Sequence, residues 1–218
     1  MRSKTNNVRR ATQDLDIDFI KYSLSDAAID AFINTLNCLD GITISRVGKI
    51  EELKQQDYCG KRVWVVIEDT EGSRVKSKID FGVHNRFELE QEEYCFDVAY
   101  DDEGASLLIN SDEQMFAEKL RSLLKFGPLS TRFKDVYDIY YLKSRVNIVK
   151  LKRALEVYIF DDHMMRENDI EAIVGRLQFT FRDKVYIDNL DKSDKRWFDD
   201  EISMITKGII EFISKSIY

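Results

Sequence analysis

Residues 14–20 read DLDIDFI, so acidic and apolar side chains alternate along this stretch. Successive side chains of a β-strand point to opposite faces, and the period of two therefore predicts a strand. One face of this strand would carry carboxylates, and the other would carry leucine, isoleucine and phenylalanine. Asp14 and Asp16 then point the same way, and two carboxylates held together repel each other unless a cation lies between them.

A third acid, Asp80, lies in the segment KSKIDFG at residues 76–82, which also has the pattern of a strand. Its neighbours Ile79 and Phe81 should face the core, which leaves Asp80 on the opposite face. If this strand lies beside the first one, Asp80 completes a carboxylate triad. The alternative is an exposed polar position on an edge strand. Asp18, one step further along the first strand, is interpreted as a peripheral acid.

The three acids predict a Mg²⁺ site. Magnesium prefers oxygen ligands and leaves positions free for water and for substrate phosphates. Two metal ions that clamp the attacking and leaving oxygens are a common device of phosphoryl and nucleotidyl transfer. The alternative for a bare D-x-D pattern is a solvated strand face.

The order of the remaining segments predicts an α+β protein. A helix should run from Ser23 or Ser25 to about Leu39, and three strand-like runs follow it, the last two joined by a turn at residues 71–73. Shorter strands are predicted at residues 94–98 and 105–110. Helical segments then follow one another to the end of the chain, one of them at about residues 167–176.

This order divides the chain into two predicted portions. Residues 1–110 would form a mixed β-sheet with flanking helices, and residues 111–218 would form a helical bundle portion, with the active cleft between them. The segment 197–217 predicts a long amphipathic helix. Its wide apolar face either packs on the core of its own chain or forms a surface for a homodimer or another partner.

Composition limits the class of protein. The chain has 218 residues, of which 44% are hydrophobic, and its net charge is −7. This balance excludes a protein that coats nucleic acid through bulk positive charge, although a local basic patch remains compatible with it. Three scattered cysteines without a CxxC pair favour free thiols in a reducing compartment. Without a signal peptide or an apolar run of membrane-spanning length, the sequence predicts a cytoplasmic protein.

The helical half supplies cations and further acids. Lys119 lies in a predicted helix, and residues 134–138 read KDVYD. Asp135 and Asp138 share a helix face, and Lys134 and Asp138 form an i,i+4 pair. One interpretation is a set of surface ion pairs of small energetic value. The other is a lysine directed at a triphosphate, where an ammonium group neutralises charge in the transition state.

These segments resemble one known family in order and approximate spacing, from residue 9 to about residue 142. RRATQDLDI at residues 9–17 resembles the R-x-T-x-D-[LI]-D segment of the AbiEii/AbiGii toxin family of nucleotidyltransferases. KIDFG fits the third acidic strand of that family. EQMFAEKL at residues 113–120 and RFKDVYDI at residues 132–139 look like its A-E-K-L and K-D-x-x-D motifs.

The resemblance implies roles for individual residues. Asp14, Asp16 and Asp80 would be metal ligands, and Asp80 would also be a possible base for the incoming hydroxyl. Lys119 would contact the nucleotide phosphates, and Asp135 would be an essential acid, so that Asp80, Lys119 and Asp135 form the predicted catalytic set. The predicted substrate-binding residues are Arg10, Thr12, Lys119, Lys134 and Asp138.

The resemblance also implies an activity. The chain would be a Mg²⁺-dependent nucleotidyltransferase that moves a nucleoside monophosphate from a nucleoside triphosphate to a hydroxyl of RNA, including transfer RNA. It would act as the toxin of a toxin–antitoxin or abortive-infection system, with a cognate antitoxin as partner.

One departure from the family pattern supports an alternative. The superfamily places a Gly-Gly or Gly-Ser turn about a dozen residues before the D-x-D, where the backbone can approach a triphosphate. The leader MRSKTNNVRRATQ contains no glycine. A catalytically inactive relative that binds a partner is therefore the second hypothesis, and a metal-dependent nuclease that uses the same acids is the third.

Overall fold

A computed structural model describes residues 1–5, 7–10, 14–20, 22–53, 60–83, 89–98 and 101–216. The chain divides into two compact units. The sheet unit comprises Ala11–Phe87, and the helical unit comprises Met1–Arg10 together with Glu88–Tyr218.

Strands and helices are numbered here in chain order. The strands are β1 Asp14–Phe19, β2 Ile42–Leu53, β3 Gly60–Asp69, β4 Arg74–Val83, β5 Glu92–Val98 and β6 Asp101–Ile109. The helices are α1 Arg2–Thr5, α2 Asp26–Thr35, α3 Asp112–Phe126, α4 Phe133–Leu142, α5 Ile148–Leu155, α6 Ile170–Arg182, α7 Lys184–Asp191 and α8 Ile202–Ser216. A 3₁₀ turn at Gly127–Leu129 and a π-helical turn at Glu156–Phe160 complete the set. The α+β class predicted from the sequence is confirmed.

The sheet unit contains a four-stranded mixed sheet in the order β1-β4-β3-β2. β1 runs parallel to β4, whereas β3 is antiparallel to both β4 and β2. The predicted hairpin between β3 and β4 is present. In its turn, Asp69 Oδ1 accepts the backbone N–H groups of Glu71 and Ser73 at 2.9 Å each, and Gly72 takes a φ of 83°. A glycine adopts this left-handed conformation without steric cost.

The core of the sheet unit lies on one face of this sheet. Ile79 and Phe81 of β4 are buried there, together with Val63 and Val65 of β3 and side chains from α2. Ser25 caps α2 by accepting the backbone N–H of Ala28 at 3.2 Å, one of the two caps that the sequence suggested. The helix ends at Thr35, four residues before the predicted end.

The helical unit has a second core, built mainly from α3 to α8. Ser111 caps α3 through a capping box with Gln114. The buried face of α8 comprises Ile202, Ile205, Ile209 and Ile213. This face therefore packs within its own unit, and a homodimer formed through α8 remains a prediction.

Some segments of the helical unit differ from the predicted pattern. The helix expected at residues 167–176 runs from Ile170 to Arg182, and α7 follows it after a single capping residue, Asp183, whose carboxylate accepts the N–H of Tyr186 at 2.7 Å. β5 and β6 form a separate antiparallel hairpin that belongs to the helical unit. The sequence pattern had placed these strands in the first portion, with its boundary at residue 110.

The first ten residues also belong to the helical unit. Lys4 Nζ donates to Asp112 at 2.7 Å, and its backbone carbonyl accepts the hydroxyl of Tyr141 at 3.1 Å. Arg9 makes two bonds of 2.7 and 2.8 Å to the exposed carboxylate of Asp199. Across the described part of the chain, none of the helices has the length and apolar character needed to cross a membrane.

Phe81→Ala should lower the free energy of unfolding of the sheet unit by about 3–5 kcal/mol, because it leaves a cavity in a core where the ring is 1% exposed. Val75→Ala, at a site on the same strand that is 62% exposed, is the matched control and should change it by less than about 0.5 kcal/mol. Urea unfolding followed by Trp64 fluorescence, in a Trp197→Phe background, measures both. Equal losses would contradict this placement of the core.

Candidate functional site

The predicted acids of the sheet unit meet on one face of the sheet. In the parallel pairing of β1 with β4, Asp16 lies opposite Asp80, Asp14 opposite Lys78, and Asp18 opposite Gly82. Residues that face each other across two strands project from the same side of a sheet. Because Ile79 and Phe81 occupy the core side, Asp16 and Asp80 project from the other side, where Asp16 is exposed. The side chain of Asp14 and the whole of Thr12 lie outside the described residues.

Asp80 is held by an arginine that sequence reasoning did not identify. Arg62 lies opposite Asp80 across β3 and β4, and its Nε and Nη2 donate to the two carboxylate oxygens at 2.8 Å each. This two-bond geometry is the strongest form of arginine–carboxylate contact. The alternation of the run KRVWVVIED places Arg62 on a sheet face, but only the register of β3 against β4 brings it to Asp80.

The donor chemistry of this face fits a hard divalent cation. Asp16 and Asp80 offer carboxylate oxygens on adjacent strands, and oxygen is the ligand type that Mg²⁺ prefers. Among the side chains that the structure describes, no group of three or more His, Cys, Asp and Glu residues is arranged to hold a metal ion. The predicted third ligand, Asp14, is not among them, so the triad and its Mg²⁺ remain a prediction.

The predicted residues of the helical half form a separate ionic cluster within the helical unit. Lys119 of α3 places its ammonium 2.9 Å from Asp135 Oδ1 and 2.8 Å from Asp138 Oδ2. Arg10 donates from Nε and Nη2 to the two oxygens of Asp138, each at 2.6 Å. Arg132 donates from Nε to Asp135 Oδ2 at 2.6 Å. The structure thus brings Arg10, Lys119, Asp135 and Asp138 into one network.

Local sequence explains how this network forms. Asp135 and Asp138 lie three residues apart on α4, so both carboxylates project from one face of that helix. Asp135 also lies in the first turn of α4, where the helix dipole favours a negative charge. Lys134 is half-buried immediately before it. Arg10 comes from the far end of the chain, which is why no local pattern could pair it with Asp138.

The pKa values of Lys119 and Asp138 shift in the directions that keep both groups charged, although both are buried. Burial alone would lower the pKa of the Lys119 ammonium, but the carboxylates of Asp135 and Asp138 outweigh it and raise that pKa. Burial would likewise raise the pKa of Asp138, but Lys119 and Arg10 outweigh it and lower that pKa. Lys119 is therefore a fixed ammonium group and not a base. Two of its three donors are engaged with the carboxylates.

Two members of this network are buried, so it is not a set of surface ion pairs that contribute little to the free energy of unfolding. The side chain of Asp138 is 0% exposed and that of Arg10 is 5% exposed, so neither charge can be solvated if its partner is removed. Arg10, Lys119 and Arg132 carry three positive charges against the two negative charges of Asp135 and Asp138.

Comparison with known families agrees with the motifs. Residues 3–205 match the family model described as nucleotidyl transferase AbiEii toxin, type IV TA system. Because the match covers nearly the whole chain, the chain belongs to the AbiEii family of nucleotidyl transferase toxins of type IV toxin–antitoxin systems. The resemblance read from the sequence is thereby confirmed. A comparison with curated proteins gives no match.

Asp138→Asn should destabilise the helical unit by about 3–5 kcal/mol, because it leaves two buried cations without their shared counter-charge. Asp199→Asn is the matched control, since Asp199 is exposed and pairs only at the surface with Arg9. Its free energy of unfolding should equal that of the wild type. Denaturation followed by Trp197 fluorescence, in a Trp64→Phe background, measures both, and a wild-type value for Asp138→Asn would contradict the buried network.

The same network predicts how stability depends on pH. The pKa of Asp138 is lowered from its usual 3.8, so its contribution is complete above that pH and is lost as the pH falls further. The pKa of Lys119 is raised from its usual 10.5, so its contribution is complete below that pH and is lost at more alkaline values. As the pH falls, the free energy of unfolding of Asp138→Asn should therefore decrease less than that of the wild type. Parallel acid dependences would argue against the lowered pKa.

Proposed function

We propose that this chain transfers a nucleoside monophosphate from a nucleoside triphosphate to a hydroxyl group of RNA, including transfer RNA, with Mg²⁺ as cofactor. The observation that carries the proposal is the in-register placement of Asp16 and Asp80 on one face of the sheet. Membership of a nucleotidyl transferase toxin family supports it. In this role the chain is the toxin, and its partner is a cognate antitoxin.

The acids would hold the cation. Asp16 and Asp80, with Asp14 from the same strand, would supply its carboxylate ligands. When bound, Mg²⁺ neutralises phosphate charge and lowers the cost of bringing a hydroxyl to the reacting phosphorus. Both oxygens of Asp80 already accept hydrogen bonds from Arg62, so a metal ion or an incoming hydroxyl group at Asp80 would meet an engaged carboxylate.

The ionic cluster would act on the phosphates. Lys119 keeps its charge because Asp135 and Asp138 stabilise the ammonium form. An ammonium group that is already held in place can donate to a phosphate oxygen, and the substrate does not have to reposition it first. Arg10 holds Asp138, and Asp138 in turn helps to hold Lys119, so Arg10 would be a positioning residue.

A transfer assay tests the proposal. The chain is incubated with each α-³²P-labelled nucleoside triphosphate, total RNA and Mg²⁺, and label on RNA is the expected result. Asp16→Asn should lower the rate at least about 100-fold, because it removes a charged metal ligand. Asp18→Asn is the matched control on the same face of β1, opposite Gly82, and should retain most of the rate.

Each contrary result has a definite meaning. No labelled RNA with any triphosphate, from a folded chain, would contradict the proposal. Equal rates for the wild type and Asp16→Asn would show that the face bearing Asp16 and Asp80 does not take part in the reaction. Shortened RNA in place of labelled RNA would identify a nuclease.

A catalytically inactive relative that binds a partner is the second candidate. The observation that favours it is the engagement of both Asp80 oxygens by Arg62. This candidate predicts no transfer by the wild type and no effect of Asp16→Asn on antitoxin binding, measured by calorimetry with the purified antitoxin.

A further inference from the structure

Arg62 lies in register with the acids Asp16 and Asp80 across three adjacent strands of the sheet. The residues Asp16, Asp80 and Arg62 lie opposite one another on β1, β4 and β3, and neighbouring strands are about 4.8 Å apart. All three side chains therefore project from the same face. The guanidinium group of Arg62 thus lies within the field of both acids, and it bonds both oxygens of Asp80.

The environment of this ion pair differs from that of an ordinary surface pair. The side chains of Arg62 and Asp80 are 32% and 12% exposed. On the same face, six residues after Arg62 on β3 and six residues before Asp80 on β4, Glu68 and Arg74 form a similar two-bond pair. The side chains of Arg74 and Glu68 are 68% and 37% exposed. Charges that are withdrawn from water interact more strongly, so Arg62 affects Asp80 more than Arg74 affects Glu68.

A guanidinium group and a divalent cation both require the negative charge of Asp80. Two cations on one carboxylate repel each other, and a metal that binds there must share the oxygens or displace the arginine. In the row of Asp16, Asp80 and Arg62, the arginine already balances the negative charge of Asp80.

We infer that Arg62 is a positioning residue that competes with the divalent cation for the carboxylate of Asp80. The inference rests on the proposed function, because it concerns the metal of that reaction. Competition from Arg62 makes metal binding weak until a second anion pairs with the guanidinium group and releases Asp80. A triphosphate supplies that anion, and arginine pairs with phosphate through the same two-bond geometry as with carboxylate. Metal and nucleotide would then bind cooperatively at this face.

Titration with Mn²⁺ tests the competition without any measurement of activity. Free Mn²⁺ is followed by electron paramagnetic resonance, first without nucleotide. Arg62→Gln should bind Mn²⁺ about tenfold more tightly than the wild type, because a neighbouring positive charge is removed. Arg74→Gln is the matched control, and its affinity should equal that of the wild type.

A double-variant cycle separates competition at Asp80 from a general charge effect. In an Asp80→Asn background, the gain from Arg62→Gln should fall to about twofold or less. A non-hydrolysable triphosphate should tighten Mn²⁺ binding more in the wild type than in Arg62→Gln. Circular dichroism verifies the fold of each variant. If Arg62→Gln does not fold, Arg62→Met, which also removes the charge but keeps an unbranched side chain, should likewise bind Mn²⁺ about tenfold more tightly than the wild type.

Three results would overturn the inference. They are unchanged or weaker Mn²⁺ binding by the Arg62 variants, an equal gain in the Asp80→Asn background, and an equal effect of triphosphate on wild type and variant. Each of these leaves the transfer reaction intact. If neither the wild type nor Arg62→Gln binds Mn²⁺, with or without the triphosphate, the result would contradict a metal site at this face and therefore the proposed function.

Discussion

The parallel pairing of β1 with β4 is the constraint on which the sheet unit depends. Phe19 at the end of β1 and Phe81 of β4 pack with their ring centroids 5.2 Å apart in the buried core. A shift of one residue in this register would turn every side chain of β1 to the other face. Burial of these apolar side chains therefore fixes Asp16 beside Asp80. The concentration of acids is a consequence of core packing and is balanced in part by Arg62.

In the helical unit, the charged groups are buried and are stabilised by one another. Removing Asp138 and Lys119 from water is costly, and the cost is offset only because each charge has a partner in good geometry. The network ties three distant parts of the chain together: the N-terminal segment through Arg10, α3 through Lys119, and α4 through Asp138. A buried network of this kind gives Lys119 one position and one charge state, which are the properties that a phosphate-binding group needs.

Much of the fold could be predicted from the sequence because its signals are local. The alternation in DLDIDFI indicated β1, and the turn at Glu71–Ser73 indicated the β3–β4 hairpin. The motif residues Lys119, Asp135 and Asp138 were found by spacing and by family resemblance. Their partners could not be found in this way, because Arg62 reaches Asp80 only through strand register, and Arg10 reaches Asp138 across 128 positions of sequence. The strands of the β5–β6 hairpin were predicted from their local pattern, but the pattern placed them with the first portion, whereas they belong to the helical unit.

The proposed transfer reaction depends on a cation held by the face that bears Asp16 and Asp80. The most direct measurement is a crystal structure of the chain with Mn²⁺ and a non-hydrolysable nucleoside triphosphate, in which anomalous scattering locates the metal. We expect an anomalous peak about 2.1 Å from carboxylate oxygens of both Asp16 and Asp80, the distance typical of Mg²⁺ and its oxygen ligands. A bound triphosphate with the metal away from these two residues would contradict it.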